Sequence, residues 1–338
     1  LPWFIIGISM GTIERNTWHS ESQEYRAGFV AIVGRPSSGK STFLNTACGH
    51  KVSIVTPIPQ TTRARVRGIV SRDSGQIVFL DTPGFHTSTR KFNQRMMGVV
   101  KESLEDADAV LLLLDGSRES GEEEEAILGE VVGTGKPLVI AVNKADIEPG
   151  GAEMRRETIR KRLDENGAFP GTGEQRGVEA PKPTILTMSA REEESAEAVV
   201  RALLPLLPEG EPYYPPEYYT DQEPEFRITE IVREKAMAFA RQELPHAIYV
   251  GVQDSESGEL DPTTGQPSSL FMRLAIYVER ESQKGIIVGK GGGRIRQIRE
   301  ASENEIGELF DYPVKLELRV KVKPKWRRDD ALLETMFE

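Results

Sequence analysis

Two glycine-rich segments, one toward each end of the 338-residue chain, hold the residues best suited to chemistry. The first is Gly34-Arg35-Pro36-Ser37-Ser38-Gly39-Lys40-Ser41, followed by Thr42. Glycines let a backbone curl until its N–H groups point inward and cradle phosphate oxygens. Gly34, Ser37, Ser38 and Gly39 would form the wrap. Lys40 would neutralise β- and γ-oxygens, and the Ser41 hydroxyl would ligate Mg2+, with Thr42 beside it at the positive end of the next helix. Farther on, Asp81-Thr82-Pro83-Gly84 closes an apolar run. Asp81 can reach Mg2+ through water, and the Gly84 N–H can meet a γ-phosphate, so this loop would feel hydrolysis. Taken alone it is also a good turn.

Asn143-Lys144-Ala145-Asp146 ends another apolar run and names a base. The Asp146 carboxylate can accept from guanine N1–H and its 2-amino group. Adenine offers neither donor there and would leave the carboxylate unpaired. The Lys144 stem can lie over the base, and Asn143 can brace neighbouring loops. Ser189-Ala190-Arg191 can add a backbone N–H to guanine O6. The plain alternative is a set of polar strand ends, but four elements in this order and spacing argue against it.

The second segment reads Lys284-Gly285-Ile286-Ile287-Val288-Gly289-Lys290-Gly291-Gly292-Gly293-Arg294-Ile295-Arg296-Gln297-Ile298. A Gly-x-x-Gly turn at Gly289–Gly292, between an apolar stretch and a helix, is the signature of a KH domain. Its glycines, Gly291 among them, let the backbone approach a nucleic-acid backbone closely. Ile287, Val288, Ile295 and Ile298 would line a groove for roughly four splayed bases. Between Ser282 and Arg299 the charged residues are Lys284, Lys290, Arg294, Arg296 and Arg299, with no acid among them. Residues 315–328 add seven basic side chains against Glu317 alone. Basic patches this local can bind phosphates on an acidic chain.

Strands and helices must hold these loops. Short Val/Ile/Leu-rich runs at Phe29–Val33, Val66–Ser71, Gln76–Leu80, Ala109–Leu114, Leu138–Val142 and Thr184–Met188 read as strands buried on both faces. Helical stretches alternate with them at Lys40–Cys48, Gln94–Leu104, Glu122–Val132, Ala152–Asn166 and Ser195–Leu204. The expected fold is therefore an α/β P-loop NTPase domain with a mainly parallel sheet. Residues 205–225, with six prolines and four tyrosines, read as a semi-rigid linker. A smaller α+β domain follows: a helix at Ile228–Gln242, strands at Ile248–Val252, Leu270–Glu279 and Val314–Val322, and helices at Ile295–Ser302 and Glu305–Phe310. Helix, strand, strand, glycine loop between helices, then strand is the type II KH order. Gly167–Pro183 and Asp254–Ser269 read as surface loops. The domains expected are a tail over 1–26, a GTPase domain over 27–204, the linker, a KH domain over 226–330 and a tail over 331–338.

Bulk properties agree with two jobs in one chain. The net charge is −10, which argues against binding nucleic acid by bulk charge. Yet residues 226–330 hold 18 basic and 17 acidic side chains, against 25 and 36 elsewhere. Cys48 is the one cysteine, so no intramolecular disulfide forms, which fits a reducing cytosol. No apolar run approaches the roughly 20 residues of a membrane span. The apolar Leu1–Ile8 lacks the basic start of a signal peptide, and Met10 is a candidate start.

With these motifs the chain resembles the translational GTPase superclass and, more closely, the bacterial Era family, an N-terminal GTPase domain followed by a KH domain. The resemblance spans about residues 28–330. It is carried by Gln60-Thr61-Thr62-Arg63, Asp81–Gly84, Phe92-Asn93, Asn143–Asp146, Pro212-Tyr213-Tyr214-Pro215 and Arg233-Glu234-Lys235-Ala236. It implies GTP and GDP as ligands, Mg2+ as cofactor, and slow hydrolysis. Lys40, Thr62 and Gly84 would be the catalytic set, and Ser41, Thr62 and Asp81 the metal set, with Thr61 the second choice for the switch threonine. Phe85 stands where Ras-like proteins place a water-orienting Gln, so turnover needs another device; His86 beside it is a weak candidate base. Ser37 stands where related families place an Asn that helps hold K+, and its shorter side chain argues against that ion. The resemblance further implies the 3′ region of 16S rRNA and the 30S subunit as partners, no stable homo-oligomer, and a cytoplasmic location with peripheral membrane association. Two other readings stay open: a GTPase whose second domain binds protein or membrane, and an RNA-binding scaffold with a degenerate nucleotide pocket.

Overall fold

In a computed structural model of the chain, residues 24–58, 61–85, 91–118, 121–165, 182–240, 247–262, 265–329 and 333 are described. Expectations for the tail 1–23, Gln60, His86, most of Gly167–Pro183, the end of the Ile228–Gln242 helix and most of 331–338 fall outside them. The chain divides into two compact units that meet in sequence at Asp221/Gln222.

The first unit is a six-stranded sheet with helices between its strands. The strands are β1 (Arg26–Val33), β2 (Val66–Arg72), β3 (Gly75–Asp81), β4 (Ala109–Asp115), β5 (Leu138–Asn143) and β6 (Thr184–Thr187), in the order β2-β3-β1-β4-β5-β6. Only the β2–β3 pair is antiparallel. Every residue of β3, β4 and β5 is buried, as their unbroken apolar runs require once helices cover both faces. The helices are α1 (Lys40–Cys48), α2 (Lys91–Asp106), α3 (Glu122–Gly133), α4 (Pro149–Glu165) and α5 (Glu193–Leu203). Because β3 and β4 flank β1 on opposite sides, a crevice opens at the carboxyl end of β1, where such sheets hold their ligands.

The linker differs from a free spacer: it is fastened to this sheet. The Gln76 side chain exchanges two hydrogen bonds with the Tyr214 backbone, at 2.8 and 3.0 Å. Tyr213 packs on Phe29 with ring centroids 4.8 Å apart. The Ile69 N–H donates to Tyr219 O, and Thr220 Oγ1 donates to Arg67 O. Arg67 and the Tyr214 hydroxyl both donate to Asp221, at 2.7 and 2.8 Å.

The second unit holds α6 (Pro224–Ala238), β7 (Tyr249–Ser257), β8 (Leu270–Val278), α7 (Glu281–Val288), α8 (Gly293–Leu309) and β9 (Val314–Val322). Its sheet runs β7-β8-β9, antiparallel then parallel, which is the expected α+β type II order. Three elements differ from expectation. Proline at the first position of α6 starts that helix before Ile228. Strand β7 continues through Ser257 past an irregularity at Val252/Asp254, so part of the expected 254–269 loop is an exposed strand. The two expected helices after the glycine turn are one, α8, because nothing at Glu303-Asn304 breaks it.

Candidate nucleotide and nucleic-acid sites

The crevice holds a cavity of about 480 Å³. Ser37, Gly39, Lys40, Ser41, Thr42, Thr62, Gly84, Asn143, Lys144, Asp146 and Ala190 line it. Four chain segments expected to act together thus meet in one place, with Gly34, Ser38, Asp81 and Ser189 buried behind the lining. The first loop wraps as its glycines predict. Gly39 has φ 99°, a left-handed backbone that glycine adopts freely, and a Cβ there would strike Asn143 Nδ2. Ser37 shares the left-handed region at φ 64° and is exposed. Gly84 packs so tightly that a Cβ would come within 2.6 Å of Pro36 N.

Lys40 lies buried and donates to Gly34 O and Arg35 O at 3.0 and 2.9 Å. Burial pushes its ammonium down to about 8, while the charge of Asp81 pulls it back up. Asp81 Oδ2 gathers three hydroxyls: Ser41 at 2.8 Å, Ser53 at 3.0 Å and Thr62 at 3.5 Å. Ser41 and Thr62 stand 2.9 Å apart. Thr61 also lines the cavity but gives its hydroxyl to Ile58 O, whereas the Thr62 hydroxyl stands with Ser41 and Asp81. Burial raises the Asp81 carboxyl, with Lys40 and the three hydroxyls acting against it.

Asn143 is the brace. Its Nδ2 donates to Ser38 O at 2.7 Å, and its Oδ1 accepts from Lys144 N and Ala190 N. One side chain therefore ties the phosphate loop to both base-recognition loops. The Ala190 N–H expected for guanine O6 is already shared with Asn143. Lys144, at φ 70°, lines the cavity while its ammonium reaches Asp115 at 2.6 Å. Asp146 faces the cavity, with Arg191 3.9 Å away.

In the second unit, α7 ends at Gly289 (φ 71°), and Gly291 and Gly292 follow at φ 60° and 75°. A Cβ at Gly291 or Gly292 would meet nothing within 4 Å, so these glycines serve backbone shape and access rather than packing. Beside the turn lies an open groove of about 500 Å³, lined by Ser282, Gly285, Ile286, Gly289, Lys290, Gly293, Arg294 and Gln297. Here the sequence reading needs correction. Ile287, expected in the groove, is fully buried in the core, as is Ile298. The helical turn points Ile286 outward instead, 39% exposed. Lys284 and Arg296 are not part of the lining; Lys284 sits 3.9 Å from Glu281.

Comparison with known proteins decides the family. Residues 29–144 match the 50S ribosome-binding GTPase family, and residues 243–327 match a KH domain. The chain is 44% identical to GTPase Era of Treponema denticola, over 91% of this chain and 98% of that one. It is 40% identical to GTPase Era of Borreliella burgdorferi, over 92% and 99%. This chain belongs to the GTPase Era family. A crystal structure of a single-residue variant of Aquifex aeolicus Era bound to GDP·AlF4− superposes with TM-score 0.80 at 34% identity, over 91% of this chain and 98% of that one. A crystal structure of Era with MgGDPNP and nucleotides 1506–1542 of 16S ribosomal RNA gives TM-score 0.79 at 33% identity, over 92% and 98%.

Within this GTPase family, two features of the chain bear on catalysis. The oxygens of Ser41, Thr62 and Asp81 suit a hard divalent cation, and Asp81 Oδ1 is buried with no hydrogen-bond partner, a free acceptor for its water shell. Phe85 cannot orient water: its N–H is tied to Gly34 O, and its ring packs against the sheet core. Two residues escaped the sequence reading. Ser53 reaches Asp81 only because Asn45 Oδ1 holds the Val52 and Ser53 amides, and no local pattern announces that. Asp115 did carry a signal, since it ends an apolar strand just as Asp81 does.

Proposed function

We propose that this GTPase is a guanine-nucleotide switch that holds the 3′ region of 16S rRNA in the groove beside Gly289–Gly292 and acts in assembly of the 30S subunit in the cytoplasm. The nucleotide half is supported by the Asn143 brace, which ties the phosphate loop to the Lys144 and Ala190 loops around one cavity that Thr62 also lines. Lys40 and the Gly39 backbone bind the phosphates. Ser41, Thr62 and Asp81 would hold Mg2+, which would supply charge neutralisation at the β- and γ-oxygens. Asp146 selects guanine. The rRNA half is supported by the open basic groove and by the relative seen with a 16S rRNA fragment. Among the described residues no helix is long and apolar enough to cross a membrane.

The linker is the route between the two sites. Thr62 lies four residues before β2, and the linker is fastened to Arg67 and Ile69 of that strand, just before α6 begins. A change at Thr62 therefore acts on a strand that carries the linker. RNA in turn assists hydrolysis, offsetting Phe85.

Asp146→Asn tests the base assignment. It should weaken GTP and favour xanthosine triphosphate, whose 2-oxo group accepts where guanine donates. Unchanged GTP binding would sink the assignment. Crosslinked 16S rRNA sequences should map to Gly289–Gly292; crosslinks to lipid or protein instead would reverse the RNA half.

A further inference from the structure

Asp115, at the end of β4, belongs to none of the four motifs and does not line the cavity. Its carboxylate is nonetheless built into the base-recognition loop. The side chain is 4% exposed. Oδ1 accepts from the Ser117 N–H at 3.0 Å and from Ser117 Oγ at 2.6 Å. Oδ2 accepts from Lys144 Nζ at 2.6 Å, with Arg118 Nε at 3.4 Å. The backbone is stitched at the same point: Asp115 pairs with Asn143 across the sheet, and the Gly116 N–H donates to Asn143 O at 2.8 Å. A Cβ on residue 116 would sit 2.8 Å from that carbonyl, so glycine there permits the close approach.

We propose that Asp115 is a positioning residue for guanine-nucleotide binding, acting through Lys144. A lysine ammonium at the mouth of a cavity otherwise samples solvent, and its stem carries large rotamer entropy. A carboxylate fixed by two Ser117 bonds removes that freedom before the ligand arrives. It holds the ammonium at the rear of the loop and lays the aliphatic stem along the cavity wall next to Asp146, where a base would stack. The ion pair also gives Lys144 a reason to keep its left-handed backbone, which a non-glycine residue rarely adopts.

This inference rests on the guanine reading of the cavity, and a double-mutant cycle separates the two. The full chain, Asp115→Asn, Lys144→Met and the double variant are titrated with a fluorescent GDP analogue, and apo melting is recorded for each. Asp115→Asn should raise Kd about ten-fold, as loss of a nearly buried ion pair implies. Lys144→Met should raise it at least as much, and the double variant should be no weaker than Lys144→Met alone. If the two effects multiply, or if Asp115→Asn changes Kd less than two-fold, the positioning role is wrong while the guanine site stands. If the parent chain binds no guanine nucleotide, the underlying reading fails instead. Ser117→Ala keeps the charge and frees Oδ1, so it serves if Asp115→Asn does not fold. It should weaken GDP in the parent background and have no effect in Lys144→Met; an equal effect in both would overturn the proposal.

Discussion

The two glycine loops solve opposite problems. At Gly39 the side-chain direction is occupied: a Cβ meets Asn143, the loop carbonyls hold Lys40, and Asn143 locks the loop to its neighbours. Around Gly291 and Gly292 the backbone is equally left-handed, yet a side chain would meet open space. The first loop is shaped by the protein for a small ligand that it surrounds. The second is left open, as access for a polymer from outside requires. Glycine is needed in both, for contact and conformation in one and for conformation and access in the other.

Four tests probe that contrast. Lys40→Met should have the largest effect. It removes the buried cation proposed to bind the phosphates, and GTP affinity should fall by at least about 100-fold in a nucleotide titration. Next comes a matched pair. Gly39→Ala should cost stability and nucleotide affinity together, because its Cβ both strains the backbone and displaces Asn143, a loss of about 2–4 kcal/mol by denaturant unfolding. Gly291→Asp should lower the melting temperature only a little, since Asp adopts the left-handed region at smaller cost than most residues, while RNA affinity falls roughly ten-fold from repulsion of phosphate. Equal losses of stability in the two variants would break the comparison.

A third test sits on one helix. Ile287→Ala should destabilise the second unit by about 2–4 kcal/mol, whereas Ile286→Ala should leave unfolding almost unaltered and weaken RNA binding a few-fold. The smallest expected change is at Phe85. Phe85→Gln should give no faster GTP turnover without RNA, because the side chain packs toward the sheet core; a clear acceleration would show that residue 85 does face the attacking water.

The fold and most of the nucleotide cavity were legible because their signals are local. Gly34–Ser41, Asp81–Gly84 and Asn143–Asp146 each need only a few consecutive residues at the end of an apolar strand, and the sheet brings strand ends together. What was hidden depends on contacts far apart in sequence. Ser53 finds Asp81 through Asn45, and Gln76 clasps Tyr214 across 138 residues, so a proline-rich stretch that reads as a spacer is a bound strap. Ile286 and Ile287 show a different limit. Both are apolar neighbours beside a glycine turn, and only the phase of α7 decides which one enters the core. Residues Asp254–Ser257 read as loop for their composition, yet an exposed strand accepts polar side chains along its length.

The central claim is that one chain couples a guanine-nucleotide site, with Phe85 where a water-orienting Gln would stand, to an RNA groove. Its most direct test is single-turnover GTP hydrolysis with and without a saturating oligonucleotide of the 16S rRNA 3′ end, with GTP affinity measured in parallel. Coupling predicts faster hydrolysis with RNA bound, and loss of that acceleration in Gly291→Asp. Identical turnover and identical GTP affinity in the presence and absence of bound RNA would contradict it.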